Sequence, residues 1–176
     1  MDFDLRWRIV IALATAGVID ADGPQIPFIE AEFQRDPSDA AERNKERAGA
    51  ARPQAAVKDA AWRRVVGGAV NNTMARAIIA GIVAPGQGEL LRPYTPRYFD
   101  TVSKIWEPSS ELAKTIVTGL YPSWDTSQVG INAAYEFLAA EMDKALRRLV
   151  REGQADVIRA LAARKFETHA NEDSHQ

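Results

Sequence analysis

GELLRPYTPRYFDTVSKIW, residues 88–106, and AKTIVTGLYPSW, residues 113–124, decide how this chain is read. Of the four tryptophans and four tyrosines in the sequence, these two stretches hold five. Tyr98, Val102 and Ile105 recur at helical spacing after a break around Pro93 and Pro96, which predicts a kinked or split helix. Leu112, Ile116 and Leu120 repeat the pattern further on. Tyr98, Trp106 and Leu120 fall on or beside these apolar stripes, so the aromatic cluster is expected to be packed core. Tyr94 and Arg97 lie at the proline break itself. There a phenol and a guanidinium are expected to face outward, which makes Tyr94 and Arg97 the candidate contacts for a ligand or a neighbouring domain.

Outward from this centre, helical spacing recurs almost everywhere and alternating strand patterns are absent, so the chain reads as all-α. Leu5, Ile9 and Leu13 start a first helix that is apolar on most sides and is expected to be internal. Ile26, Ile29 and Phe33 mark a second, which stops before Asp36-Pro37. Asp36 suits the N-cap of a third, SDAAERNKERAGAA, whose apolar face is mostly alanine and must pack closely or lie near the surface. Pro53 begins a fourth, with Val57, Ala61 and Val65 on one stripe and Trp62 and Val66 on another, ended by Gly67-Gly68. Asn72 is expected to cap a fifth carrying Met74, Ile78 and Ile82, and PGQG at 85–88 is a turn. Asp125 is expected to cap a helix holding Ile131, Tyr135, Leu138 and Met142. Leu146, Leu149 and Val150 precede a break at Gly153, and Val157, Ile158 and Leu161 mark a last helix. Residues 168–176, THANEDSHQ, have nothing to bury and are expected to form a flexible polar tail.

The sum is about eight to ten helices joined by short connectors, which makes successive helices antiparallel neighbours. The economical architecture is an irregular α-solenoid of helical hairpins, HEAT- or armadillo-like, in one domain over 1–167. No fixed-period repeat is visible, and a compact non-repeating bundle is the alternative.

Composition narrows the function. At 176 residues, 46% hydrophobic and 26% charged, the chain can bury one sizeable core. A net charge of -2 supplies no field for phosphate backbones, so nucleic acid is not an expected partner. Without cysteine there is no disulfide, no thiolate nucleophile and no Cys-ligated zinc. IVIALATAGVI, residues 9–19, is too short for the ~20 apolar residues of a membrane span. Asp2 and Asp4 stand where a signal peptide carries basic residues, so a cytoplasmic location is expected.

Catalytic motifs are missing. The only histidines, His169 and His175, lie in the polar tail and cannot form the paired ligands of an HExxH zinc site. Aligning Gly23 of DADG with the glycine of a calcium loop puts Val18 and Ile29 at ligand positions, which rules that site out. Asn71-Asn72-Thr73 matches a glycosylation acceptor but reads better as a helix cap. The serines have no histidine to serve them as base. Arg147, Arg148 and Arg151 form a basic face opposite an apolar stripe, which is the usual wet side of a helix. No catalytic, metal-binding or cofactor-binding residue is assigned.

DLRWR (4–8), FQRDPSDA (33–40), ARPQAAVKDAAW (51–62), PGQGELLRPYTPRYFDTVSKIW (85–106), AKTIVTGLYPSW (113–124) and LRRLVREG (146–153) occur in an informative order and spacing. Together they resemble the C-terminal helical domain of actinobacterial aminopeptidase N, related to the C-terminal region of the endoplasmic reticulum aminopeptidases. The resemblance extends from about Asp4 to Lys165 and departs at VIDADGPQIP and EPSSELAK. It implies a large zinc aminopeptidase whose HExxH helix, glutamate ligand and GxMEN loop sit in preceding domains, so that zinc belongs there and not to this chain. It also implies a HEAT-like domain that closes over the catalytic domain and walls the chamber for the peptide. The implied partners are the catalytic domain of the same enzyme and the peptide substrate. Separated from that enzyme, such a domain is expected to expose an apolar strip and to self-associate. The alternative is a free-standing helical-repeat adaptor that binds a protein or peptide in its concave groove.

Overall fold

Caps and close glycine contacts set where the helices start and how they meet. In a computed structural model, which describes residues 2–19 and 27–173 (the side chains of Pro27 and 164–173 excepted), the described residues form ten helices and no strands. They are α1 (Phe3–Thr15), α2 (Pro27–Arg35), α3 (Asp39–Ala51), α4 (Ala55–Val66), α5 (Asn72–Ile82), α6 (Gly88–Leu91), α7 (Tyr94–Ile105), α8 (Glu111–Gly119), α9 (Gln128–Ala139) and α10 (Lys144–Asp173). The all-α expectation is met, and the proline break splits α6 from α7. Among the described residues no helix is long and apolar enough to cross a membrane. DADG and His175 lie outside the described residues, and so does the side chain of His169. The expected tail at 168–176 falls partly outside them as well, while the helical backbone of α10 continues to Asp173.

Four helices start on the same device. Ser38, Asn71, Ser110 and Ser127 have extended backbone, and each side chain accepts a hydrogen bond from the amide three residues on. Three of the expected caps are therefore displaced: Asp36 gives way to Ser38, Asn72 to Asn71, and Asp125 to Ser127. Asp125 instead accepts from the Ser127 hydroxyl at 2.6 Å and the Ser127 amide at 3.1 Å, so it braces the capping residue.

Neighbour contacts run from α1 to α3, α5, α8 and α10, with α2 on α3, α4 on α3 and α5, α7 on α8, and α9 on α7 and α10. A smaller core joins Trp7, Val10 and Ala14 of α1 to Ile29 of α2 and to Ala41 and Ala48 of α3. A larger one runs through α4 to α10 and centres on Trp62, Tyr98, Val102, Val117 and Leu120. The aromatic cluster is thus packed centre. Tyr98 is fully buried, meets Phe99 and Tyr121 edge-on at 5.0 and 5.6 Å, and donates its hydroxyl to the Val117 carbonyl at 2.7 Å. Trp106 at its edge donates to Asp143 at 3.0 Å.

The alanine-rich α3 does pack closely. A Cβ on Gly81 of α5 would lie 2.3 Å from the Arg47 carbonyl, so the two backbones touch. A second glycine overturns an expected boundary. Gly153 does not break the chain into two helices; α10 runs through it, and a Cβ there would lie 2.5 Å from the Tyr121 ring. The glycine makes room for an aromatic ring instead of ending a helix.

Two helices are rotated from their expected phase. In α1 the buried residues are Trp7, Val10 and Ala14, while Leu5 and Ile9 are exposed. In α9 they are Gly130, Ala134 and Leu138, leaving Tyr135 outside, and in α10 Ile158 also faces solvent. Both α1 and α9 are apolar enough all round that spacing alone does not fix which stripe turns inward.

Three helix C-termini meet at two polar side chains. Lys58 of α4, fully buried, donates from Nζ to the carbonyls of Ala50 at 2.8 Å and Gly81 at 2.9 Å, in the last turns of α3 and α5. Gln87 donates from Nε2 to Thr15 at 3.0 Å and Ala51 at 2.8 Å, the last residues of α1 and α3. These terminal carbonyls lack the i+4 amide of a helix interior, although Gly81 also accepts from the Ala84 amide at 3.3 Å, and they carry the negative end of the helix dipole, so cationic and amide donors satisfy them well. Burial pushes the Lys58 amine down from 10.5 to about 8.

Candidate functional site

Only two residues, Arg92 and Pro93, separate α6 from α7, so Tyr94 enters α7 at once and its ring folds back onto α4. The ring stands 5.1 Å from that of Trp62. Tyr94 is consequently only 7% exposed, which corrects the expectation that its phenol faces outward. Burial, and then the negative charge of Asp59, raise its pKa, so the phenol stays protonated.

Arg97, one turn further along α7, is half exposed. Its guanidinium lies over the rings of Trp62 and Tyr94 at 5.6 and 5.4 Å, and Nη1 reaches Asp59 of α4 at 2.6 Å. Asp59 also takes Arg63 at 2.9 Å. The hydrogen bond from Arg97 holds the Asp59 carboxyl below its ordinary pKa, so it is ionised and occupied. Tyr94, Arg97 and Asp59 line an open groove of about 530 Å³, together with Glu89, Leu90 and Pro93. The structure therefore brings Tyr94 and Arg97 together at one surface depression. A paired carboxylate, a neutral phenol and a guanidinium over two rings can recognise a polar or aromatic group.

The basic face of α10 divides by role. Arg147 turns toward α9 and donates to the carbonyls of Leu138 at 2.6 Å and Ala140 at 2.8 Å, closing that helix end. Arg148 and Arg151 are exposed. Sequence reasoning missed Lys58 and Gln87. For Lys58 a signal existed, since 58, 62 and 65 follow one helical stripe and Trp62 and Val65 are fully buried. Gln87, in a turn, has none.

Among the described residues no group of three or more His, Cys, Asp or Glu side chains converges to hold a metal ion. The model of the ERAP1-like C-terminal domain family matches residues 1–159. The chain belongs to that family. It is also similar to the aminopeptidase N of Streptomyces lividans, with 40% identity over 175 residues. That match covers 98% of this chain but 20% of the relative, so the chain spans about a fifth of the length of the protein it matches. As a C-terminal domain of this kind, it contains a packed helical framework, a surface groove at Tyr94 and Arg97, and no convergent donor set suited to zinc among its described residues.

Proposed function

We propose that this chain is the non-catalytic part of a zinc aminopeptidase, closing over the catalytic domain and walling the chamber that receives the peptide, so that it governs access and length preference. The observation that carries this reading is the 40% identity to an aminopeptidase N across nearly the whole chain. On this reading the partners are the catalytic domain of the same enzyme and the peptide, and zinc is held in the catalytic domain. The groove at Tyr94 and Arg97 is the contact surface toward one of those partners. The contacts of Arg97 with Trp62, Tyr94 and Asp59 support that role, because a side chain already held in place loses little freedom on binding.

The test is hydrolysis of alanyl and lysyl chromogenic amides with added zinc by this chain alone, by the catalytic fragment of an aminopeptidase N alone, and by the mixture. The chain alone is expected to be inert and to change the fragment's turnover on mixing. Hydrolysis by the chain alone, in a preparation free of contaminating peptidase, contradicts the proposal.

A further inference from the structure

The run of helices α1, α3, α5, α8 and α10 ends differently on its two sides. At the α10 end, the face turned away from buried Leu146, Val150 and Val157 carries Lys144, Arg148, Glu152 and Arg159, all exposed. A charged outer face is what the terminal element of a helical stack needs. At the α1 end the exposed charges of Asp4 and Arg8 lie to one side of the outer face and leave its centre apolar. Trp7, Val10 and Ala14 pack inward onto α2 and α3. On the opposite side of the same helix Leu5, Ile9 and Ala12, with Ala16 at its C-cap, follow at intervals of four, three and four residues and form a second apolar stripe. Leu5 is 47% and Ile9 42% exposed, and both alanines are exposed too. A helix that is apolar on two opposite faces is built to be packed on both. Here one of them is left exposed among the described residues.

We propose that the Leu5, Ile9, Ala12 and Ala16 face of α1 docks a further amphipathic helix of the same aminopeptidase polypeptide, one lying outside these 176 residues. This rests on the reading above, and it names the surface by which the domain joins the rest of the enzyme. Three observations select that occupant over a second copy of the chain. The relative's polypeptide is about five times as long as the part matched here, so most of it lies elsewhere and is covalently attached. The strip is one helix wide and about 16 Å long, the footprint of a single neighbouring helix of three turns. Two large side chains and two alanines fall well short of the ~800 Å² per partner that a stable free complex buries. Such a strip holds a partner that is tethered at millimolar effective concentration, not one recruited from solution. The alanines at its C-terminal half let the neighbouring axis approach toward the close end of the ~8–10 Å range.

The experiment compares the free chain with the whole Streptomyces lividans enzyme carrying this chain in place of its own matching segment. The double substitution Leu5→Glu with Ile9→Glu is expected to leave the Tm of the free chain unchanged, since both positions are exposed there, and to lower the Tm of the whole enzyme by roughly 4 °C or more. Hydrogen exchange of the α1 amides is expected to be slower in the whole enzyme than in the free chain. Ile158→Glu, on α10, is the control and should be neutral in both. The milder pair Leu5→Ser with Ile9→Ser gives a second reading if the glutamates prevent assembly. Equal Tm effects in both settings, unchanged exchange, failure of the exchanged enzyme to assemble with the native strip, or a stable dimer of the free chain that the substitutions dissolve would each overturn the proposal. Turnover and peptide-length preference of the same enzyme report on the chamber reading separately: a lost length preference with an unresponsive α1 leaves that reading standing and removes this one.

Discussion

The aromatic centre around Tyr98 and the carbonyl knot around Lys58 are both buried and are held together by opposite means. At Tyr98 four rings and the aliphatic side chains of α5, α7 and α8 exclude water, and the single hydroxyl is satisfied by Val117. At Lys58 and Gln87 the interior is polar, and four terminal carbonyls from three helices are satisfied by two side chains. The first region derives its stability from buried area, so it tolerates little loss of volume. The second uses directional bonds to fix where α1, α3 and α5 end relative to one another, and its stability depends on protonation.

The largest expected effect is at the aromatic centre. Tyr98→Ala should destabilise the chain by about 3–5 kcal/mol, measured by denaturant unfolding, because it removes a fully buried ring and leaves a cavity. A cost below ~1 kcal/mol would mean that the centre is not the main store of stability.

At the knot, Lys58→Met keeps most of the stem but removes the donor to two carbonyls. The loss of these bonds opposes the relief of a buried charge, and a net cost of about 2 kcal/mol at neutral pH is expected. The pH dependence follows from the depressed amine. Between the folded value of about 8 and the unfolded 10.5, the unfolded chain binds more protons than the folded one. The penalty for burying the charge is therefore present in full below pH ~8 and is relieved as pH rises toward ~10.5. The stability of the wild-type chain relative to Lys58→Met should climb across that window, by up to roughly 3 kcal/mol. A flat difference would show that the amine is solvated.

Gly153→Ala sharpens the comparison through its sign. Helix propensity alone favours alanine by about 1 kcal/mol. The Tyr121 ring, 2.5 Å from the would-be Cβ, should reverse this to a loss of about 1–3 kcal/mol. A stabilised variant would place that ring elsewhere. The smallest effect is expected at the surface groove. Arg97→Ala breaks a half-exposed ion pair with Asp59, and its unfolding free energy should change by less than about 1 kcal/mol.

The helices themselves were legible because apolar spacing is a direct trace of a helix packed on one side. Their rotation was not legible where both sides are apolar, as in α1 and α9. Caps were displaced by one or two residues where Asp, Asn, Ser and Pro crowd together, because several polar side chains can reach the same amides. Gly153 illustrates a different limit. A glycine's lack of a side chain serves a helix end and a close aromatic contact equally, and only the position of Tyr121 separates the two. Tyr94 and Arg97 were found through the proline break. Their partner Asp59, 38 residues from Arg97, carries no local signal. Lys58 was hidden by its type, since a lysine on a helix reads as solvent-facing unless its stripe is followed through Trp62 and Val65.

The role proposed for this chain is to shape access to an active site held in another domain of the enzyme. The direct measurement is kcat/KM of the catalytic fragment of an aminopeptidase N for a nonapeptide and for an aminoacyl amide, with and without this chain. In the proposed role, the chain changes the ratio between the two substrates while contributing no turnover of its own. An unchanged ratio at saturating chain, or cleavage by the chain alone, would contradict it.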